Sequence, residues 1–169
     1  MEIVLDRLKD LVGNYMLMSA VMGWLFAQLI KLVTTTIVKR KFDFKVMFSN
    51  GGMPSAHSAT VLALTTSAAV SHGLASAQFA ISAILAMIVM NDAFGVRLEA
   101  GKQAQVINKL VMELFSNKEG FDVKLKEVLG HTPFQVIMGA LLGIVIAIAY
   151  AFILNGMGIG PFHASFLGA

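Results

Sequence analysis

A chain of 169 residues that is 57% hydrophobic and only 14% charged, with a mean hydropathy of +0.76, is too apolar for a soluble enzyme, a disordered tail or a nucleic-acid-binding domain; soluble domains carry about 25% charged residues. The net charge of +3 and pI near 9.3 do not argue for nucleic acid, because the basic loops of a membrane protein account for them. With no cysteine, disulfides, thiolate metal sites and a cysteine nucleophile are excluded.

Charge is distributed unevenly. Residues 11–30, 46–91 and 128–169 contain no Asp, Glu, Lys or Arg, in runs of 20, 46 and 42 residues. A membrane-spanning helix needs about 20 mostly apolar residues. The first ten residues hold Glu2, Asp6, Arg7, Lys9 and Asp10, a net −1, whereas a secretory signal has a positive start and a short apolar core. The first span is therefore expected over 11–38 and retained, with a short amphipathic lead-in. The 46-residue uncharged run suits two spans, over 54–70 and 74–91, turning at Ser71-His72-Gly73. The former is rich in Ala, Ser and Thr, which suits contact with helices rather than lipid. Ala100, Ala104, Ile107, Val111, Leu114 and Phe115 recur at helical spacing, so an interfacial amphipathic helix is expected over 98–116. A fourth span follows over 133–154. The segment 155–169, with four glycines and Pro161, reads as irregular.

The expected architecture is a single all-α integral membrane domain over 1–169, with four transmembrane helices and one interfacial helix. Ten of the 13 Lys and Arg fall in the loops after spans one and three. Positive-inside bias makes those loops cytoplasmic and leaves both termini outside, as in a bacterial cytoplasmic membrane.

The cytoplasmic edge also collects the reactive side chains. Lys31 lies inside span one, either snorkelling to headgroups or aimed into a polar cavity. Gly51-Gly52-Met53-Pro54-Ser55-Ala56-His57-Ser58 reads as a glycine-rich loop feeding a helix start, where Pro suits the first turn and free N–H groups favour anions. Its bland alternative is a Ser cap with a histidine at the water interface. Asp92 ends span three and is expected to pair with Arg97 or Lys31, since acids at a span edge are costly alone. In His131-Thr132-Pro133-Phe134-Gln135, Thr132 and Gln135 have the spacing of a capping box, and His131 precedes it. Two histidines thus stand at two helix starts on one basic rim, near Lys31, Arg97, Lys102 and the Lys124/Lys126 pair. That arrangement suits a phosphate monoester or diphosphate. One histidine would attack phosphorus and the other protonate the leaving oxygen, with the cations stabilising the equatorial oxygens. No metal-ligand cluster is apparent, so no metal or other cofactor is expected.

At these residues the chain resembles the divergent branch of the type-2 phosphatidic acid phosphatase superfamily, which is related to acid phosphatases and haloperoxidases. The resemblance rests on GGMPSAHSA (51–59), NDAFGVRLEAGKQAQVIN (91–108), LGHTPFQV (129–136) and FAQLIK ending at Lys31. It implies a metal-free lipid phosphate phosphatase, with His131 as nucleophile and His57 as general acid. Lys31, Ser55, Arg97 and Lys102 would hold phosphate, and Gln135 or Asp92 would orient the nucleophile. Ala56 stands where the motif has Gly, Gln135 where the branch has Glu, Leu98 where it has a second arginine, and Leu125 where the parent motif has another. An uncharged Gln135 accepts a bond from His131 but does not stabilise an imidazolium by charge. The rival reading is a protein that binds or moves an anionic headgroup without hydrolysis; a plainer one is a structural membrane subunit. Imidazoles within roughly 6 Å around one anion favour chemistry, and a wider gap favours binding or scaffolding.

Four helices are few to enclose a polar pocket, and the small residues of span two allow close helix contact. A homodimer is therefore expected; a monomeric mass in both mild detergent and nanodiscs would exclude it.

Overall fold

The computed structural model describes residues 1–42, 44, 52–115 and 130–163, and these form α-helices and connecting turns. In chain order they are α1 (Glu2–Gly13), α2 (Tyr15–Lys39), α3 (Ala56–His72), α4 (Ala77–Asn91), a π turn (Asp92–Val96), α5 (Arg97–Phe115) and α6 (Pro133–Gly156). Each of the packed helices starts on a polar cap. The Asn14, Ser55, Ser76 and Thr132 side chains accept from the N–H groups of Leu17, Ser58, Phe79 and Gln135. The Asn14 cap also corrects the expected first span, because residues 11–13 belong to α1, a helix that buries no residue.

α3 is the centre of the bundle and packs against α2, α4 and α6. Its apolar face is built from small residues, with Ala59, Ala63 and Ala68 fully buried. Glycines on the neighbours permit backbone contact. A Cβ on Gly23 of α2 would lie 2.8 Å from the Ala59 carbonyl oxygen, and one on Gly143 of α6 would collide with that same oxygen. Hydrogen bonds add to this packing: Tyr15 Oη donates to Ala147 O at 2.8 Å, and Thr65 Oγ1 to Ser82 O at 3.0 Å. At the end remote from Ser55, Tyr15, Val70 and Ala151 form an apolar cluster, and Phe162 packs on it. His163 N–H donates to Val70 O at 2.8 Å. Residues 157–163 thus fold back over the end of α3.

Two further expectations are met only in part. Among the described residues three helices are long and apolar enough to cross a membrane, namely Tyr15–Lys39, Ala77–Leu114 and Pro133–Gly156. α3, with 17 residues, is not among them. It extends about 26 Å at 1.5 Å per residue, short of a hydrocarbon core of about 30 Å. Because its neighbours sheathe it, it needs neither the length nor the apolarity of a lipid-facing helix. Secondly, the amphipathic segment is not a detached helix. The π turn joins α4 to α5 in one helical run of 38 residues, Ala77–Leu114. At 1.5 Å per residue this is about 57 Å, so only part of it fits the hydrocarbon layer. The charges beginning at Asp92 mark the division.

Gly143→Ala should destabilise the bundle by about 1–3 kcal/mol, the usual cost of forcing atoms into a packed core, because the obstacle is a backbone oxygen. Gly156→Ala, with open space around the added methyl, should leave thermal unfolding in detergent unchanged.

Candidate functional site

The α3–α6 crossing sets the site. Gly139 lies against the Ser55 carbonyl, leaving no room for a Cβ, and Ser55 N–H donates to Gln135 O at 3.1 Å. The first turns of α3 and α6 are thereby held side by side. His57 is exposed in the first turn of α3, and His131 is 5% exposed just before the Thr132 cap of α6. Their ring centroids are 6.2 Å apart at an interplanar angle of 61°.

His131 is held through its backbone. In the π turn the Arg97 N–H bonds to Asp92 O, five residues back, and this widened turn is a common feature of functional sites. Its Ala93 carbonyl accepts the His131 N–H at 3.1 Å. Gly130 passes so close to the backbone of Arg97 and Leu98 that a Cβ there would collide with the Leu98 nitrogen. The Asp92–Arg97 ion pair, at 2.6 Å, bridges the same turn.

Lys31 is 2% exposed. Its methylene stem lies against Gly52, whose φ of +99° suits glycine and whose missing side chain makes the space. The charges of Lys31, Arg97 and Asp92 act on His57, and those of His57, Lys31 and Arg97 on His131. Burial is the main cause, and these cations a further one, of a His131 pKa lowered from 6.5 to about 4. The ring is therefore neutral at physiological pH, with one nitrogen lone pair unprotonated.

Not every expected residue joins this group. Ser55 is fully buried and its Oγ serves the cap, accepting from Ser58 N–H at 3.4 Å and Ser58 Oγ at 3.0 Å. Gln135 Oε1 accepts from Thr132 N–H at 3.0 Å, completing a capping box; that carbonyl serves the helix start rather than His131. Asp92 pairs with Arg97, the structural alternative anticipated for it. Lys102 is exposed on α5 and pairs with Glu99 at 2.7 Å, so nothing draws it to the histidines. Gly51, Lys124, Lys126 and Leu125 lie outside the described residues. Among the described residues no group of three or more His, Asp or Glu side chains is placed to hold a metal ion.

These helix starts, with their two histidines and two nearby cations, fall within a segment shared with known proteins. The Divergent PAP2 family matches residues 12–146, four-fifths of the chain. The chain belongs to that family. It is also similar to the "Uncharacterized membrane protein YuiD" of Bacillus subtilis (strain 168), with 46% identity over 154 residues, covering 85% of this chain and 98% of that protein. No solved structure matches it.

Three features of this divergent PAP2 site escape a reading of the sequence. Ala93 acts through its carbonyl, and nothing in NDAFGVR announces a π turn. Gly130 is recognisable as a glycine but not as the residue packed on Arg97. Gln28, one turn before Lys31, is 6% exposed, and its Oε1 has no hydrogen-bond partner among the described residues; a polar residue in an apolar run is its only signal.

The His131 titration has a definite sign. Between about pH 6.5 and 4 the unfolded chain binds a proton at this ring that the folded chain does not, so the stability from its neutral burial is lost as pH falls through that window. NMR of His131 should give a midpoint near 4, and Arg97→Gln should raise it by removing a neighbouring cation. A wild-type midpoint near 6.5 would contradict the buried geometry.

Proposed function

We propose that this divergent PAP2 protein is a phosphatase for a membrane lipid phosphate or diphosphate, working at the cytoplasmic face through a phosphohistidine and without a metal. The observation carrying the reading is the pair of imidazoles 6.2 Å apart at two adjoining helix starts, with Lys31 and Arg97 acting on both. That spacing is close to what one phosphoryl group between them requires. The neutral His131 supplies a lone pair; the solvent-reachable His57 is suited to exchange protons.

A ring nitrogen of His131 attacks phosphorus as the bond from phosphorus to the lipid oxygen breaks. The lipid oxygen takes the bonding pair and a proton from His57, leaving as an alcohol (or as a monophosphate from a diphosphate). Water then attacks the phosphohistidine and gives its proton to His57, releasing inorganic phosphate and restoring His131. Lys31, Arg97 and the N–H groups of the α3 start stabilise the phosphoryl oxygens.

In this reading α3 is a fourth, protein-sheathed span, both termini lie outside, the membrane is the bacterial cytoplasmic one, and the protein is a homodimer. The positive-inside distribution supports the orientation. A second reading, binding or movement of an anionic headgroup without hydrolysis, draws support from Gln135, which is uncharged and serves the cap.

Purified protein given polyprenyl and glycerolipid phosphates should release phosphate. His131→Ala should abolish release, and His57→Gln should slow it about 10²–10⁴-fold, the range for a lost general acid. The acid limb of kcat/KM should fall near pH 4, where His131 becomes protonated. Release by His131→Ala at the wild-type rate would remove the nucleophile from the scheme; no release by wild type from any lipid phosphate would favour the second reading.

A further inference from the structure

We infer that the cavity between the C-terminal half of α2 and the start of α6 seats the hydrocarbon chain of a single-chain anionic lipid whose phosphate lies at the His57–His131 pair. This rests on reading that pair as a phosphate site. The cavity measures about 440 Å³ and is lined by Ile30, Thr34 and Val38 of α2, by Met53 and Pro54, and by Met138 and Leu142 of α6.

Three observations favour this occupant. The first is continuity: Met53 and Pro54 lead directly into Ser55, the cap of the histidine-bearing helix. Thr34 Oγ1, on the cavity wall, donates to Lys31 O at 3.1 Å and lies 3.5 Å from Met53 O. The wall of the cavity and the wall of the phosphate site are thus one stretch of chain, with the Lys31 stem packed on Gly52 between them.

The second is polarity along the length. Ile30 and Lys39, at opposite ends of the α2 wall, are about 13 Å apart at 1.5 Å per residue. Lys39 lines one end of this wall, and at the other end Ile30 directly precedes Lys31, whose charge acts on both histidines. An apolar wall that ends at the cation of the phosphate site complements a hydrocarbon tail with an anionic head.

The third is size. An α-helix is about 10–12 Å across with its side chains, too wide for this volume, whereas 440 Å³ is within the range of pockets for small ligands, about 300–1,000 Å³. Neither a partner helix nor a second copy of this chain is the occupant this space suits.

The experiment is photolabelling of the full chain in phosphatidylcholine nanodiscs with an alkyl monophosphate carrying a mid-chain diazirine, followed by peptide mapping. Label should concentrate in residues 30–38 and 138–142 and be displaced by unlabelled alkyl monophosphate but not by the corresponding alcohol. Met138→Trp should lower labelling about tenfold, equivalent to ~1.4 kcal/mol of binding. Val38→Trp, at a position 81% exposed where a larger side chain does not threaten folding, should lower it too. Met87→Trp, on the exposed surface of α4, should not. Equal label on Ile81, Ile84 and Met87 would overturn the inference, as would equal labelling of the cavity by a diazirine alcohol, which would mark ordinary bilayer lipid. Phosphate-dependent labelling of the cavity in a protein that releases no phosphate would uphold the inference and overturn only the hydrolytic reading.

Discussion

The structure depends on the close crossing of α3 and α6. Gly139 against the Ser55 carbonyl and Gly143 against the Ala59 carbonyl let the two backbones touch, and the Ser55–Gln135 hydrogen bond sets their register at one end. In a bilayer helices gain little from burying apolar surface, since lipid tails are equally apolar, so close backbone contact and interhelical hydrogen bonds carry the association. The functional consequence is direct. Two helices held in contact at their first turns bring two sets of free N–H groups, and the histidines beside them, to one place.

The two imidazoles differ because the elements around them differ. His57 stands on the outer side of the first α3 turn and meets solvent. His131 is drawn inward by a backbone bond to Ala93 and by Gly130 packed on Arg97 and Leu98. Burial and neighbouring cations then keep its ring neutral. The inward placement of His131 originates in a π turn, a backbone feature.

That point explains which expected residues change role. Gln135 and Ser55 are used in capping, because helix starts under membrane conditions must satisfy their N–H groups internally. Asp92 and Arg97 brace the π turn, and Lys102 finds Glu99 along its own helix. The residues whose charges act on the histidines include Lys31, whose buried stem packs against a glycine of positive φ, a placement that neither its position inside a span nor the option of snorkelling specifies.

Charge-free runs, basic loops and helix caps are local properties, so the sequence by itself determined that the chain is a helical membrane protein, where the α3 and α6 caps lie, and that His57 and His131 begin two helices at one end. The helix limits near 56, 77 and 133 coincide with capping side chains and with Pro133 at a first turn, and so were legible to within a few residues. Tertiary structure decided what depends on neighbours distant in the chain: that α3 is the sheathed centre rather than a lipid-facing span, that α4 continues into α5 through a π turn, that Ala93 holds His131, and that one imidazole is buried and the other open. Periodicity records which face of a helix is apolar. It carries no record of which backbone comes near enough to accept a hydrogen bond, because that is set by the absence of side chains at a few glycines and by the partners that close over them.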